Sequence, residues 1–197
     1  MGVVAVWTQD STDVITAVSI DGVVATRQAT QSGIGAGRIY LYYATGTLAG
    51  VMTVTATSSA STQINSTAAL YDGVDQTTPL DGGSQSSSTI TCSGGCTELQ
   101  ATVTSTIDNS WAIGMAGDFT TVSLGGSASS SIRTNASGDI YQIDSTSAIS
   151  PAGAAILGVT GNAGVRKDII IAAFRPSAPA VAVVVQSQNP VVWWWDE

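Results

Sequence analysis

The chain contains no histidine, which removes the commonest general base, the commonest metal ligand and any Ser-His or Cys-His nucleophile pair. Charge is scarce as well. Asp, Glu, Lys and Arg make up 10% of the residues, where soluble domains usually carry about 25%, so ion pairs cannot carpet the surface. Only two glutamates occur, Glu98 and Glu197, and neither lies near an evident acid partner. A hydrolase resting on paired carboxylates such as Asp72 and Asp75 therefore ranks last among the functions open to the chain. These gaps point away from an enzyme and from any cofactor. No run reaches the length of about 20 apolar residues that a helix needs to cross a bilayer. Nor does Met1 to Trp7 look like a secretory leader, since it lacks a basic start; an exported chain is expected to have lost its leader already. With a net charge of −8 and a pI near 4.1, the long-range field repels phosphate backbones and anionic headgroups, which excludes nucleic acid as a natural partner.

What fills the 197 residues instead is 44% hydrophobic side chains, a mean hydropathy of +0.27, and polar positions taken by Thr, Ser, Gly, Gln and Asn. β-Branched residues fit the pleat of a sheet, and Gly, Asn, Asp and Ser supply its turns. Read with a period of two, the chain predicts strands over Val3 to Trp7, Asp13 to Ile20, Val23 to Ala29, Arg38 to Tyr43, Gly50 to Ala56 and Gln63 to Tyr71. Further strands are predicted over Glu98 to Thr104, Trp111 to Ala116, Ser131 to Thr134, Ala154 to Val159 and Asp168 to Phe174. Asp21-Gly22 is a strong hairpin signal, because a two-residue type I′ turn needs positive φ at both positions. Asp81 to Ser88 and Gly125 to Ser130 read as low-complexity connectors. No amphipathic helix is evident, and one sandwich-sized core is expected.

The two cysteines stand as Cys92-Ser93-Gly94-Gly95-Cys96, where the glycines can close a tight loop and let the sulfurs meet. A local disulfide is the natural reading, and such bonds belong to oxidising compartments. The competing readings fit less well: a thioredoxin-like redox pair needs two intervening residues, and a zinc site needs two more ligands.

The C-terminal stretch differs from everything before it. After Arg175-Pro176-Ser177-Ala178-Pro179 come the apolar run Ala180 to Val185, the polar Gln186-Ser187-Gln188-Asn189-Pro190, and Val191 to Trp195, closed by Asp196 and Glu197. The prolines mark a linker. Beyond it, Ala180, Val181, Val183, Val185, Val191, Val192, Trp193, Trp194 and Trp195 form two β-prone pieces that would aggregate if left in water. Three adjacent indoles cannot all point to one side of a strand.

Leu70-Tyr71-Asp72-Gly73-Val74-Asp75-Gln76-Thr77-Thr78-Pro79-Leu80 resembles the signature of a jelly-roll module of secreted bacterial surface proteins. The order around it is similar too: an early apolar strand at Gly2 to Trp7, a Val-rich hairpin at Ala17 to Ala25, Arg38 to Tyr43, Gly50 to Thr55, and a closing strand Ile170-Ile171-Ala172-Ala173-Phe174-Arg175-Pro176. The resemblance implies an all-β, jelly-roll-like antiparallel β-sandwich over residues 1–176, with residues 177–197 as a C-terminal extension, in an extracellular or cell-surface protein. In that family a further strand precedes the one matched by Gly2 to Trp7, and this chain begins too late to supply it, while its far end carries strand-like residues that the module does not need. A sandwich lacking a strand exposes backbone groups and an apolar groove. A tail reaching into the next copy would fill the groove and propagate as a filament, the logic of donor-strand exchange. The expectation is thus a structural subunit of an extracellular filament whose partner is itself.

A second expectation is a carbohydrate-binding or adhesion module of a cell-surface or phage protein, with Tyr40, Tyr42, Tyr43 and Trp111 as a sugar-stacking platform; core packing is the competing role of these rings. Asp72, Asp75 and Asp81 could present oxygens to Ca²⁺, against the plainer reading of turn residues, which holds for Asp10 and Asp13 also. Asn65-Ser66-Thr67 and Asn135-Ala136-Ser137 make Asn65 and Asn135 glycosylation candidates.

Overall fold

The computed structural model describes residues 1–32, 37–46, 48, 50–90, 97–118, 125–136, 140–161 and 167–178, and among them are fifteen strands and no helix. β1 (Gly2–Thr8), β4 (Thr26–Ser32), β5 (Arg38–Ala44) and β7 (Ile64–Leu70) form a sheet in the order β4-β5-β1-β7, beside a smaller one in which β2 (Ile15–Ile20), β3 (Val23–Val24) and β6 (Val54–Ser58) run β3-β2-β6. The second half of the chain builds two more. β8 (Leu80–Ile90), β10 (Trp111–Asp118), β12 (Ser130–Ala136), β13 (Ile140–Ser145) and β15 (Lys167–Phe174) run β12-β13-β10-β15-β8, and β9 (Glu98–Thr104), β11 (Gly125–Ala128) and β14 (Ala154–Thr160) run β11-β14-β9. The strand pairs are antiparallel, so the chain is an all-β protein of stacked antiparallel sheets.

Side-chain alternation along the strands sets the layering, because successive residues point to opposite faces. On β1, Val4 and Val6 face the small first-half sheet with Tyr40 and Tyr42 of β5, whereas Val3, Ala5 and Trp7 face the large second-half sheet with Ile39 and Leu41. β15 does the same, sending Ile169, Ile171 and Ala173 toward β9 and β14, and Ile170, Ala172 and Phe174 toward β1 and β5. The single core expected from composition is therefore three stacked apolar layers, and the two large sheets in the middle are apolar on both faces. That explains why β1 and β13 are buried along their whole length.

Most expected strands form close to where the pattern put them, and Asp21-Gly22 turns β2 into β3 with φ of 50° and 80°. Three do not. The Ser-rich connectors expected at Asp81 to Ser88 and Gly125 to Ser130 are β8 and β11, edge strands whose ladders with β15 and β14 use backbone groups and need no apolar side chain. β13 was hidden because Gln142 and Asp144 break its apolar pattern, yet both are buried.

The two halves repeat one strand plan. Taken in chain order, β1, β2, β4, β5, β6 and β7 hold the same places as β10, β11, β12, β13, β14 and β15: β4-β5-β1-β7 matches β12-β13-β10-β15, and the β2–β6 pair matches β11–β14. β8 and β9, which flank β15 and β14 in the second half, have no counterpart in the first among the described residues. The segments that leave β7 and β15 cross one another. Val74 bridges Pro176, Ser177 N donates to Gly73 O at 2.6 Å, and Asp75 N donates to Arg175 O at 3.1 Å.

Candidate functional site

Among the described residues nothing holds the places of β8 and β9 beside β7 and β6, and burial differs accordingly. In the second half, β9 turns Leu99, Ala101 and Val103 inward and covers Ile169, Ile171 and Ala173 of β15 and Leu157 and Val159 of β14. All five covered side chains are fully buried. In the first half the corresponding face of β7 carries Ile64, Ser66, Ala68 and Leu70, and that of β6 carries Val54 and Ala56; every one is only half-buried. Met52 and Leu48 join the same partly covered cluster. The result is a groove along β6 and β7, both of which end their sheets among the described residues. Its floor is shallower in side-chain volume than its second-half equivalent, since Ser66 and Ala68 stand where β15 presents isoleucines.

No family model, curated protein or solved structure matches the chain. Its function has to be read from its own residues.

The residues expected to fill such a groove, Ala180, Val181, Val183, Val185, Val191, Val192 and Trp193 to Trp195, lie outside the described residues, as do Cys92 and Cys96 of the expected disulfide. Asn65 sits half-buried on β7 and has a partner interaction, and Asn135 lies on β12. The aromatics separate rather than forming a platform. Tyr40 and Tyr42 are buried in the first-half layer with ring centroids 6.3 Å apart, Tyr43 packs edge-on to Phe174 at 5.9 Å, and half-buried Trp111 lies against the middle layer. Tyr40 OH accepts from Val14 N at 3.3 Å.

Of the candidate calcium carboxylates, Asp75 and Asp81 are engaged by different protein donors, and among the described residues no three acidic or thiol groups gather to hold a metal. Asp75 is a turn residue: its carboxylate accepts from Thr77 N at 2.8 Å and Thr78 N at 3.1 Å, and these bonds hold its pKa below the usual range. Asp10 does likewise for Thr12, and Asp13 pairs with Arg27 at 2.8 Å on the surface. Asp81 is fully buried at the start of β8 and ties down the turn between β9 and β10. Its carboxylate accepts from Ser105 Oγ at 2.7 Å, Thr106 N at 2.8 Å, Ser110 Oγ at 3.1 Å, Ile107 N at 3.2 Å and the Thr106 hydroxyl. Burial pushes its pKa up, but these donors outweigh it and hold the group at about 2.

A second polar cluster, between β7 and the β12–β13 pair, had no signal in the sequence. Asp144 accepts from Arg133 Nε at 2.8 Å and Ser131 Oγ at 2.5 Å, the Arg133 guanidinium lies 5.9 Å from the Tyr71 ring, and Gln142 Nε2 donates to Tyr71 OH at 3.2 Å. Burial raises the Tyr71 pKa. These groups are mutually engaged, and the cluster stitches the two halves together. Arg133 and Asp144 could have been paired only by knowing the register of the neighbouring strands β12 and β13, and Tyr71 only by knowing how the first half packs on them.

Proposed function

We propose that the protein is a non-catalytic structural subunit of an extracellular filament, polymerising when the C-terminal segment of one copy enters the half-open groove of the next. The observation that carries this reading is the groove along β6 and β7, where apolar side chains stay half-exposed although the equivalent face of the second half is covered. Such a surface is costly in water, and the chain carries two apolar, strand-length runs at 180–185 and 191–195 suited to cover it. The run β8-β15-β10-β13 stacked on the three-stranded β9-β14-β11 supports a jelly-roll-like reading of this body, with β12 extending the larger sheet beyond β13. Insertion into a neighbour is a heterologous contact and so repeats indefinitely.

Hinge stiffness favours the neighbour over the chain's own groove, since two of the five residues between β15 and the apolar run at Ala180, residues 175–179, are proline. Short, stiff hinges drive strand exchange between copies. Electron microscopy of the purified full chain and of a 1–178 truncation tests the proposal: filaments are expected from the first and none from the second, and filaments of normal appearance from the truncation would overturn it.

A further inference from the structure

We infer that the groove takes two strands, not one: residues 180–185 of a neighbouring copy pair antiparallel along the outer side of β7, and residues 191–195 pair antiparallel along the outer side of β6. The assignment rests on the filament reading for the source of the strands and on the strand plan for their places. In the second half, the segment that follows β7 becomes β8, pairs antiparallel with β15 and then turns back as β9 to pair antiparallel with β14. β7 and β6 are the counterparts of β15 and β14. The segment that follows β15 therefore stands in the same relation to β7 and β6 as β8 and β9 stand to β15 and β14.

The composition of the tail agrees with this order. Its two apolar runs are divided by Gln186-Ser187-Gln188-Asn189-Pro190, a turn-forming stretch in the position that residues 91–97 occupy between β8 and β9. The second run is the one that must face the core, as β9 does with Leu99, Ala101 and Val103. With Ser66, Ala68 and Ala56 on the floor of the groove, the inward side chains have to be larger than those of β9 to fill it. Alternation places Val191, Trp193 and Trp195 on one face of the run, so two indoles enter where β9 uses an alanine and a valine. Trp194 then faces outward. β9 exposes Glu98, Gln100, Thr102 and Thr104 on that side, so an indole there meets a further subunit rather than water.

Hydrogen exchange measured by mass spectrometry on three samples tests the assignment: full-chain filaments, the 1–178 truncation, and the truncation with a synthetic peptide of residues 178–197. Amides in 54–58 and 64–70 are expected to exchange about 100-fold more slowly in the filaments and with the peptide than in the truncation alone, while the opposite edges, β4 and β12, stay unchanged. Tail-dependent filaments protected at β4 or β12 instead would overturn the strand assignment and leave the filament reading standing. A full chain that stays monomeric yet protects 54–58 and 64–70 would keep the groove assignment and overturn the neighbour as donor. Equal exchange in all three samples would overturn both. Protection of 64–70 alone would reduce the insertion to one strand. Peptide variants V183P and W193A separate the two strands: the first is expected to abolish protection at β7, the second to weaken it at β6 by at least tenfold.

Discussion

Asp81 shows how one carboxylate can organise a turn that lies far from it in sequence. Five donors from Ser105 to Ser110 converge on it, so Asp81→Ala strands buried hydroxyls and amides and is expected to cost about 3 kcal/mol, read as a lowered denaturation midpoint. Its pH dependence has a definite sign. The folded pKa of about 2 lies below the ordinary value of 3.8, so the stabilisation is complete above about pH 4 and is lost as pH falls toward 2. Thermal melts of the chain and of Asp81→Asn should converge over that window; curves that stay parallel would contradict this account. Gly114 is constrained by crowding. A Cβ there would lie 2.2 Å from Ile170 O and 2.6 Å from Ile171 Cγ2, so Gly114→Ala is expected to destabilise by about 2 kcal/mol or more through strand separation.

At the scale of the strand, the sequence announced elements whose apolar runs are unbroken and hid those held by other means. β1, β5 and β15 were legible because Val, Ile and aromatic residues fill both faces. β8 was not, because Ser and Gly carry no periodic signal and its place at the edge of β15 is specified by backbone pairing. The groove followed the same division. That an apolar stretch closes the sequence could be read from Ala180 to Trp195, but the half-covered groove could not, since Ile64, Ala68, Val54 and Ala56 look like ordinary strand residues until β15 and β14 stand beside them for comparison. The hinge can be tested at this scale too. Inserting four Gly-Ser residues after Ser177 loosens the proline-bounded hinge and is expected to convert filaments into closed monomers, seen as a late-eluting species in size-exclusion chromatography; unchanged filament yield would argue against hinge stiffness as the driver.

For the molecule as a whole, two copies of one strand plan share a central apolar layer in which Trp7, Leu41, Met115 and Phe174 meet. Neither large sheet can leave the other without exposing that layer, so the two halves are expected to unfold in one transition in the 1–178 truncation, with calorimetric and van't Hoff enthalpies equal. Two separated transitions would show that the layer binds the halves only weakly. Among the described residues no helix is long and apolar enough to cross a membrane.

The bridge of Val74 to Pro176 and of Gly73 to Ser177 sits at the root of the tail, where a stretched filament would deliver its load. Force pulling on Ala178 in such a filament would pass through the Ser177–Gly73 and Asp75–Arg175 hydrogen bonds into the segment between β7 and β8. The crossing would thus act as a strain relief, sharing tension between both halves before it reaches any single sheet.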